Sequence, residues 1–398
     1  MNRFLHETNA IREELIRARR RLHRFAECGF DLSKTTDFVK ETLLSMGYEP
    51  ASCGKSGVTA SLPADNSTAP TILLRADMDA LPMHEETRLS FRAENGCMHA
   101  CGHDMHAAML LGAAALLKKR EGKLPFSVRF AFQGAEEILS GAADMVAHGV
   151  LDGVTAAVML HAIPALPYPT GTVLLPPEGV GAPAAVFFSV KVKGESAHAG
   201  KKNEGCDALR AALGLYEALC EEEKRIGGDL SLAIGTLHAG DAPNVVAGHA
   251  RMTGTFRSKS PDEMHAFHRA LKRVLSATPD GITANAEMGG GCPPLFNHPT
   301  AREAVRSALE KEGVPFVVPT ATDGAAAEDF AVIAERVPSV ALAIAAGQAG
   351  HGYDRPLHHP SVLFDEDALP HGAAIYTISA LALGEAFSLQ TFTKMPIV

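Results

Sequence analysis

Short apolar runs alternate with helical patterns in the first 180 residues and again after residue 294. The apolar runs are 71–74, 126–132, 156–160 and 339–345, and the helical patterns are 7–27, 37–46, 103–120, 140–149, 300–312 and 326–336. Helices placed between strands are typical of an α/β domain with a mostly parallel sheet. We therefore predict such a domain, built from residues 1–182 and 294–398.

The pattern changes in the middle of the chain. Strand patterns at 185–194, 229–240, 245–258 and 281–289 are interleaved with helical patterns at 205–223 and 261–278. Their order, β-α-β-β-α-β, is that of the ferredoxin-like unit. We predict that residues 183–293 form a domain inserted into the first one, with the Pro- and Gly-rich segments 176–183 and 289–294 as its hinges.

Charge and cysteine content narrow the classes of function. The 398 residues carry 37 Lys and Arg against 46 Asp and Glu, a net charge of −9 without a basic cluster, so we expect no nucleic-acid partner. No apolar run reaches the roughly 18 residues that cross a bilayer, so we expect no membrane partner. Seven irregularly spaced cysteines and a charged start without a secretory apolar core favour the reducing cytoplasm.

Polar residues follow three of the predicted strands. Asp77 and Asp79 come after the first, Glu136 and Glu137 after the second, and His161 ends the third. Ligands of open α/β sheets bind outside the carboxyl ends of the strands, so chemistry is expected there. Asp77 and Asp79 are predicted to orient a ligand histidine or a bridging water without binding the metal themselves. The alternative for Asp77 is a cap on the next turn.

The segment HACGHDMHA at 99–107 is the densest group of metal-type donors. Cys101 and His103 are two residues apart, so in an extended backbone their side chains point the same way. Thiolate and imidazole suit a first-row divalent metal. We predict both as ligands. For His99 and His106 a ligand role and a purely structural role are equally open.

Glu136 and Glu137 suggest two different roles. Neighbouring side chains of an extended backbone diverge, so one carboxylate can bind a metal ion while the other faces the space beside it. An attacking water next to a metal needs a general base within hydrogen-bond reach. The pair is therefore predicted to supply a base and a ligand, against the alternative of a solvated acidic turn.

Histidines far apart in the sequence complete the donor set. His161 lies in LHAIP, and one of His358 and His359, in PLHHP, is predicted as a further ligand. One open tetrahedral zinc site has fewer protein ligands than this chain offers, so we predict two ions that share a bridging group. The predicted ligands are Cys101, His103, Glu137, His161 and one of His358 and His359.

Three polar residues of the middle domain could grip an anionic substrate. His198 lies between a strand and a helix, Asn244 at a hairpin turn and Arg257 at a strand end. Arginine suits a carboxylate through paired hydrogen bonds. From the residues alone, a clamp and ordinary loop or surface positions are equally open.

Taken together, the motifs resemble a known family. They run in the family's order over almost the whole chain: RRRLHRFAECGF, RADMDALPM, MHACGHDMHAAMLLGAA, GAEEILSGAADMVAHGVLDGV, LHAIP, VKGESAHAG, PNVV, GTFRS, AEDF and LHHPSVLFDEDALPHGAA. The family is that of the dinuclear metal amidohydrolases in the aminoacylase/carboxypeptidase metallopeptidase superfamily. The branch contains hippurate hydrolases, auxin-conjugate hydrolases and N-acetyl-amino-acid deacetylases.

The resemblance implies specific roles. It implies that two divalent ions per subunit are bound by Cys101, His103, Glu137, His161 and His358. It also implies that Glu136 is the general base and acid, and that homodimers form through the inserted domain. His198 would then reach a partner subunit's active site and steady the oxyanion, while Asn244 and Arg257 help to grip the substrate.

The sequence thus favours metal-dependent hydrolysis of an N-acyl amino acid or a small peptide-like amide. Mn²⁺ or Zn²⁺ is expected, with Co²⁺ and Ni²⁺ as alternatives, and a tetramer is the alternative to the dimer. One rival is an amidase with Cys101 as nucleophile and His103 or His161 as base. The other is a metal-stabilised binding protein without turnover. The presence of Glu136 beside Glu137 argues against it, because a binding protein needs no general base.

Overall fold

The protein consists of two compact units. The structure, a computed structural model, describes residues 3–319 and 326–390. One unit comprises residues 3–181, 296–319 and 329–390, and the other comprises residues 182–295 and 326–328. The ends of the predicted α/β domain, residues 1–2 and 391–398, lie outside the described residues.

A mixed sheet of eight strands runs through the first unit. Its strands are β1 Ala51–Cys53, β2 Gly57–Leu62, β3 Thr71–Asp77, β4 Ser127–Gln133, β5 Val154–Ile163, β6 Val173–Leu174, β13 Phe316–Val317 and β14 Ser339–Ala345. The order is β1-β2-β4-β3-β5-β14-β6-β13. β4, β3, β5 and β14 are mutually parallel neighbours, so their carboxyl ends lie at one edge. β1 and β2 are antiparallel additions on one side.

Helices cover this sheet. They are α1 Arg3–Asn9, α2 Arg12–Phe25, α3 Ser33–Ser45, α4 His103–Lys118, α5 Gly141–Ala147, α8 Pro299–Lys311, α9 Ala331–Ala334 and α10 Ala368–Gln390. α4 and α10 are largely apolar, pack against each other and contact the central strands, so their burial stabilises the core. The Tyr376 hydroxyl on α10 donates to the Arg75 carbonyl of β3 (2.7 Å) and accepts the Leu160 N–H of β5 (3.1 Å).

The second unit is a four-stranded antiparallel sheet with two helices. Its elements are β8 Ala184–Lys193, a short 3₁₀ helix Ala199–Glu204, α6 Ala208–Ile226, β9 Ser231–Ala239, β10 His249–Ser258, α7 Pro261–Ser276 and β11 Thr283–Cys292. The strand order β11-β8-β10-β9 and the β-α-β-β-α-β sequence confirm the ferredoxin-like insert within an α/β fold. Ser260 caps α7 and Pro261 is its first residue.

Some predicted boundaries are wrong. The helix predicted at 7–27 is two helices, because Ile11 has a non-helical backbone between them. The helix predicted at 326–336 is only the four-residue α9, because the Asp329 side chain just before it is held in a buried network described below. The two predicted hinges contain strand residues: β7 Gly179–Ala182 pairs with β12 Leu295–Asn297, and β11 continues to Cys292.

The cysteines are not all free thiols. Cys28 and Cys97 form a disulfide, which the odd count and irregular spacing did not predict. Cys53, Cys101 and Cys292 are buried and free, and Cys206 and Cys220 are half-buried and free. Over residues 3–319 and 326–390, no helix has both the length and the apolar content to cross a lipid bilayer.

Candidate metal centre at the sheet edge

The four parallel strands carry the predicted polar residues to one edge of the large sheet. β3 ends at Asp77, which pairs in register with Gln133 at the end of β4. His161, near the end of β5, pairs in register with Ala343 of β14. Since neighbouring strands are about 4.8 Å apart, residues following β4, β3 and β5 come within reach of one another. The polar residues that follow these strands therefore lie at one edge of the sheet, as the sequence predicted.

The donor segment before α4 enters this edge through a tight turn. Gly102 has φ +86°, and a Cβ there would lie 2.8 Å from the Phe364 ring, so the turn and the close approach both need glycine. α4 then begins at His103, whose side chain is completely buried. Cys101 Sγ lies 3.5 Å from His161 Nε2. Cys101, His103 and His161 thus form one group of donors around a common point.

Asp79 fixes the loop that carries the two glutamates. Its Oδ1 accepts the Glu136 N–H (3.0 Å) and its Oδ2 accepts the Glu137 N–H (3.1 Å). The Glu137 carboxylate lies between two histidines, with Oε1 3.8 Å from His103 Nε2 and Oε2 3.8 Å from His358 Nε2. Glu136 Oε2 is 4.0 Å from His103 Nε2. Asp79 therefore sets the direction of both side chains.

The two adjacent histidines in PLHHP point to different places. His358 has a left-handed backbone (φ +64°), its N–H donates to the Ala100 carbonyl (3.0 Å), and its ring joins Cys101 and Glu137. His359 Nδ1 instead accepts the Ser361 N–H (3.0 Å). The geometry selects His358 as the member of the donor cluster, as the resemblance implied.

Unpaired buried atoms indicate that this cluster fits metal ions. Both ring nitrogens of His103 and Oε1 of Glu137 are buried and lack a hydrogen-bond partner. Leaving such groups unpaired is costly, and most buried polar groups in folded proteins are paired. The separations of 3.5 and 3.8 Å also suit two ligands of one ion at bond lengths of about 2.0–2.3 Å. Sulfur, imidazole nitrogen and carboxylate oxygen are the donor types of zinc and similar ions.

Burial shifts the pKa values of most of these donors towards the neutral form. It raises the pKa of the Cys101 thiol and raises the pKa of Glu137 to about 7. Burial, with His106 nearby, lowers the pKa of His161 well below its ordinary range. Burial also opposes charge on His103, but the Asp77 carboxylate, Cys101 and Asp79 together outweigh it and raise that pKa. A buried thiol with a raised pKa is a poor nucleophile, which argues against the cysteine-amidase alternative.

Asp77 and His106 are hydrogen-bonded to each other next to the donor cluster. His106 Nδ1 donates to Asp77 Oδ1 (2.6 Å), and its Nε2 accepts the Ala162 N–H (2.7 Å). Both ring nitrogens are therefore occupied, and His106 is not available as a ligand. Its hydrogen bonds fix β5 next to His161 and hold the carboxylate that faces His103. Of the two roles left open for His106, these hydrogen bonds favour the structural one.

A buried charge network missed by the sequence analysis lies behind Asp77. The Arg75 guanidinium donates to Asp77 Oδ2 (2.8 Å), Gln133 Oε1 (2.9 Å) and Asp329 Oδ1 (2.8 Å). Asp329 Oδ2 also accepts the Ala142 N–H (2.9 Å). The available signal was the arginine inside the otherwise apolar strand TILLRAD, since a buried arginine needs partners.

A family model matches most of the chain. It is that of "Peptidase family M20/M25/M40", and it matches residues 73–381. The chain belongs to this family. Family M20/M25/M40 membership confirms the predicted metallopeptidase-type fold and the predicted class of activity, a hydrolase that acts on linear amides.

Relatives with printed activities cover nearly the same length. The chain is 34% identical to N-acetyl-L-cysteine deacetylase of Bacillus subtilis (strain 168), over 91% of this chain and 86% of that one. It is 31% identical to N-acyl-L-amino acid amidohydrolase of Geobacillus stearothermophilus, over 72% and 79%. Among solved structures, a dinuclear metal-binding M20 peptidase of Bacillus subtilis matches with a TM-score of 0.75 and 30% identity, over 95% and 99%. A protein described as an aminohydrolase, from methicillin-resistant Staphylococcus aureus, matches with a TM-score of 0.84 and 28% identity, over 96% and 99%.

The three substrate-binding candidates of the M20/M25/M40 chain lie in its second unit. His198 and Asn244 lie close together. The Ala199 N–H donates to the Asn244 carbonyl (3.0 Å), and the backbones of His198 and Val245 form an antiparallel β-bridge. Arg257 pairs with Ala185 at the opposite end of β8.

Arg257 of one copy therefore lies far apart from His198 and Asn244 within the second unit. The ladder of β8 and β10 runs from Lys193 opposite His249 to Ala185 opposite Arg257, roughly 26 Å at ~3.3 Å per residue. His198 and Asn244 extend the Lys193 end of that ladder still further. Spacing along the sequence could not reveal this, because antiparallel pairing decides which ends of the strands meet.

Proposed function

We propose that the chain hydrolyses N-acyl amino acids or small peptide-like amides with the help of two divalent ions. Cys101, His103, Glu137, His161 and His358 would hold the ions. The observation that carries this proposal is the meeting of these donors from distant segments at 3.5–3.8 Å, with unpaired buried atoms on His103 and Glu137. The deacetylase and amidohydrolase activities of the relatives support the choice of substrate class.

The protein's own groups divide the work of hydrolysis. When bound, the ions polarise the scissile carbonyl and lower the pKa of the attacking water. Glu136, whose carboxylate lies 4.0 Å from His103 Nε2, accepts the proton of that water and returns it to the leaving nitrogen. Asp79 holds the Glu136 backbone in place, so the carboxylate does not have to be reoriented at each turnover. The predicted base and ligand roles of the two glutamates are thereby assigned to Glu136 and Glu137.

The donor set limits the choice of metal. One thiol, three imidazoles and a carboxylate favour borderline ions over hard ones such as Mg²⁺. We infer that Zn²⁺, Co²⁺ and Ni²⁺ fit this donor set best, whereas Mn²⁺, the other ion expected from the sequence, is harder and prefers oxygen ligands. Affinity alone does not rank them in a cell, because supply also matters.

A homodimer through the inserted domain is the second part of the proposal. Leu209, Leu213 and Tyr216 lie on one face of α6 and are 40%, 48% and 41% exposed, and β9 is an edge strand of its sheet. An exposed apolar helix face and an unpaired strand edge are both surfaces that a second copy of the chain can bury. His198 and Asn244 of one copy would then serve the substrate held by Arg257 of the other. A tetramer and a cytoplasmic location stay predictions from the sequence.

The decisive experiment separates the base from the ligands. Glu136→Gln should retain two metal ions per chain by elemental analysis while hydrolysis of N-acetyl and N-benzoyl amino acids falls by about 10³-fold. Glu137→Gln is the matched control, because it should lose metal as well as activity. Activity of Glu136→Gln near that of the wild type would overturn the assigned base. No turnover by the metal-loaded wild type on any such substrate would favour the binding-protein alternative.

A further inference from the structure

Three backbone segments meet next to the metal centre. The end of α2 leads to Cys28, the residues after β3 include Ala80, and Cys97 precedes the ligand segment. The Ala80 N–H donates to the Glu27 carbonyl (2.8 Å), and Leu81 and Met98 exchange two hydrogen bonds (3.0 and 2.9 Å). Asp79 immediately precedes the paired residues Ala80 and Leu81, and Cys101 lies three residues after Met98. The paired segments therefore lead directly into two residues of the metal centre.

The Cys28–Cys97 disulfide closes this arrangement. It joins residues 69 positions apart in the sequence, with their Cα atoms 6.6 Å apart. Cys97 is four residues before Cys101. Cys28 and Cys97 are half-buried at the edge of a small cluster of Ala26, Ala80 and Ala93, so part of each residue is exposed to solvent. The disulfide thus acts on the segment that carries Cys101 and His103.

A noncovalent contact holds the same two segments together without the disulfide. The Asn95 side-chain amide donates to the Phe25 carbonyl (2.7 Å) and the Ala26 carbonyl (3.3 Å), and its oxygen accepts the Cys97 N–H (3.2 Å). These hydrogen bonds do not involve the disulfide, so the two segments stay joined when it is open. Of the cysteines in the described part of the chain, these two alone are paired.

We propose that Cys28 and Cys97 are a thiol–disulfide exchange site for small thiols and disulfides, and that its oxidised form tightens the metal-binding segment. In the oxidising direction, one thiolate attacks a small disulfide and releases one small thiol. The second thiolate then attacks the resulting mixed disulfide and releases the other small thiol. Two protein thiols are oxidised and one small disulfide is reduced to two thiols, so electrons and protons balance. This site goes beyond the proposed hydrolysis, and the exchange chemistry does not depend on it.

The test uses the metal-loaded, full-length protein equilibrated with mixtures of reduced and oxidised glutathione. After quenching and alkylation, peptide mass spectrometry should find Cys28 linked to Cys97 in oxidising mixtures and alkylated separately in reducing ones. Hydrogen exchange of backbone amides 98–103 should be slower in the oxidised protein. Metal release into excess chelator should be about ten-fold slower as well, because groups that orient ligands have effects of that size on affinity.

Two variants complete the design. Cys97→Ser should behave like the reduced wild type in every mixture, whereas Cys220→Ser, a half-buried free thiol elsewhere, should respond like the wild type. Separate alkylation of Cys28 and Cys97 even in fully oxidised glutathione would overturn the exchange site. Equal hydrogen exchange of 98–103 in both states would overturn the effect on the metal segment, and this readout holds whether or not metal is bound. Failure of the proposed hydrolysis would instead appear as absent turnover with the linkage intact.

Discussion

The donor cluster of the first unit and the polar trio of the second differ in how firmly the fold holds them. His103 is completely buried, its neighbour Asp77 is held by Arg75 and His106, and Asp79 binds the backbone of both glutamates. His198 and Asn244 are exposed and lie far from Arg257 along one sheet. The first group is held together by the fold of one chain, whereas the members of the second group lie apart within that chain.

This difference separates two kinds of function. A metal centre needs ligand positions that are fixed before the ion arrives, and the buried hydrogen bonds around Asp77 and Asp79 provide that. If two copies of the chain contribute, exposed residues at opposite ends of a sheet can act on one substrate. Substitutions in the first unit should therefore change metal content, and those in the second should change turnover or substrate affinity with the metal retained.

The largest expected effect comes from the two adjacent histidines. His358→Asn should reduce bound metal to about one ion per chain and activity by about a thousand-fold, because several kcal/mol of charge stabilisation are lost. Asparagine is chosen because it tolerates the left-handed backbone at this position. His359→Asn is the matched control, with both quantities within about two-fold of the wild type. Equal effects at the two positions would contradict the geometry of the cluster.

Subunit complementation tests the second group most directly. His198→Ala and Arg257→Ala should each lower activity by about a hundred-fold or more while keeping both ions. When the two variants are co-expressed and pair at random, half of the dimers are hybrids with one intact site of two. Activity should then recover to about a quarter of the wild-type value. No recovery above the single variants would mean that both residues serve the same copy's site, or that no dimer forms.

The sequence placed the candidate residues of the first unit at one edge of the sheet because the signal for that placement is local. Parallel strands bring their carboxyl ends together, so Asp77, Glu136 and His161 could be placed at one edge from strand pattern alone. Arg75 and Asp329 could not be paired in advance, since they are 254 residues apart and meet only in the folded core. The distance between the three polar residues of the second unit could not be predicted for a related reason, because it depends on antiparallel register rather than on spacing. The Cys28–Cys97 pairing, too, depends on three-dimensional proximity alone.

His106 offers a finer test of the bracing in the first unit. In His106→Gln, the glutamine side chain cannot bond to both Asp77 and the Ala162 N–H as the imidazole ring does. Metal affinity should therefore fall by about 10–100-fold. At saturating metal the maximal rate should recover to within about ten-fold of the wild type. Arg257→Lys is the comparison from the second unit, with KM raised and metal affinity unchanged. An unchanged metal affinity in His106→Gln would show that the ligands are held without this histidine.

The smallest expected effect is on stability, through a second buried network that ties α2 to the start of α4. His23 Nδ1 contacts Asp104 Oδ2 (2.8 Å), which also accepts from Arg19 Nε (2.7 Å), and His23 Nε2 contacts Glu85 Oε2 (3.1 Å). Glu85 also accepts the Ala93 N–H (2.8 Å). Burial opposes charge on both residues, but hydrogen bonding and the attraction of His23 lower the pKa of Glu85, and the attraction of Asp104 raises the pKa of His23.

The signs of these two shifts define a pH window. The lowered pKa of Glu85 contributes stability that is present above about pH 4.5 and is lost as the pH falls. The raised pKa of His23 contributes stability that is full below about pH 6.5 and is lost as the pH rises through its folded value. Glu85→Gln should therefore cost about 1–3 kcal/mol of unfolding free energy between those limits and less outside them. Denaturant unfolding of chelator-treated protein measures this without a contribution from metal loss, with the exposed neighbour Glu86→Gln as control. A penalty for Glu85→Gln that is the same at pH 4 and pH 6 would mean that packing, and not the ion pair, joins α2 to the ligand helix.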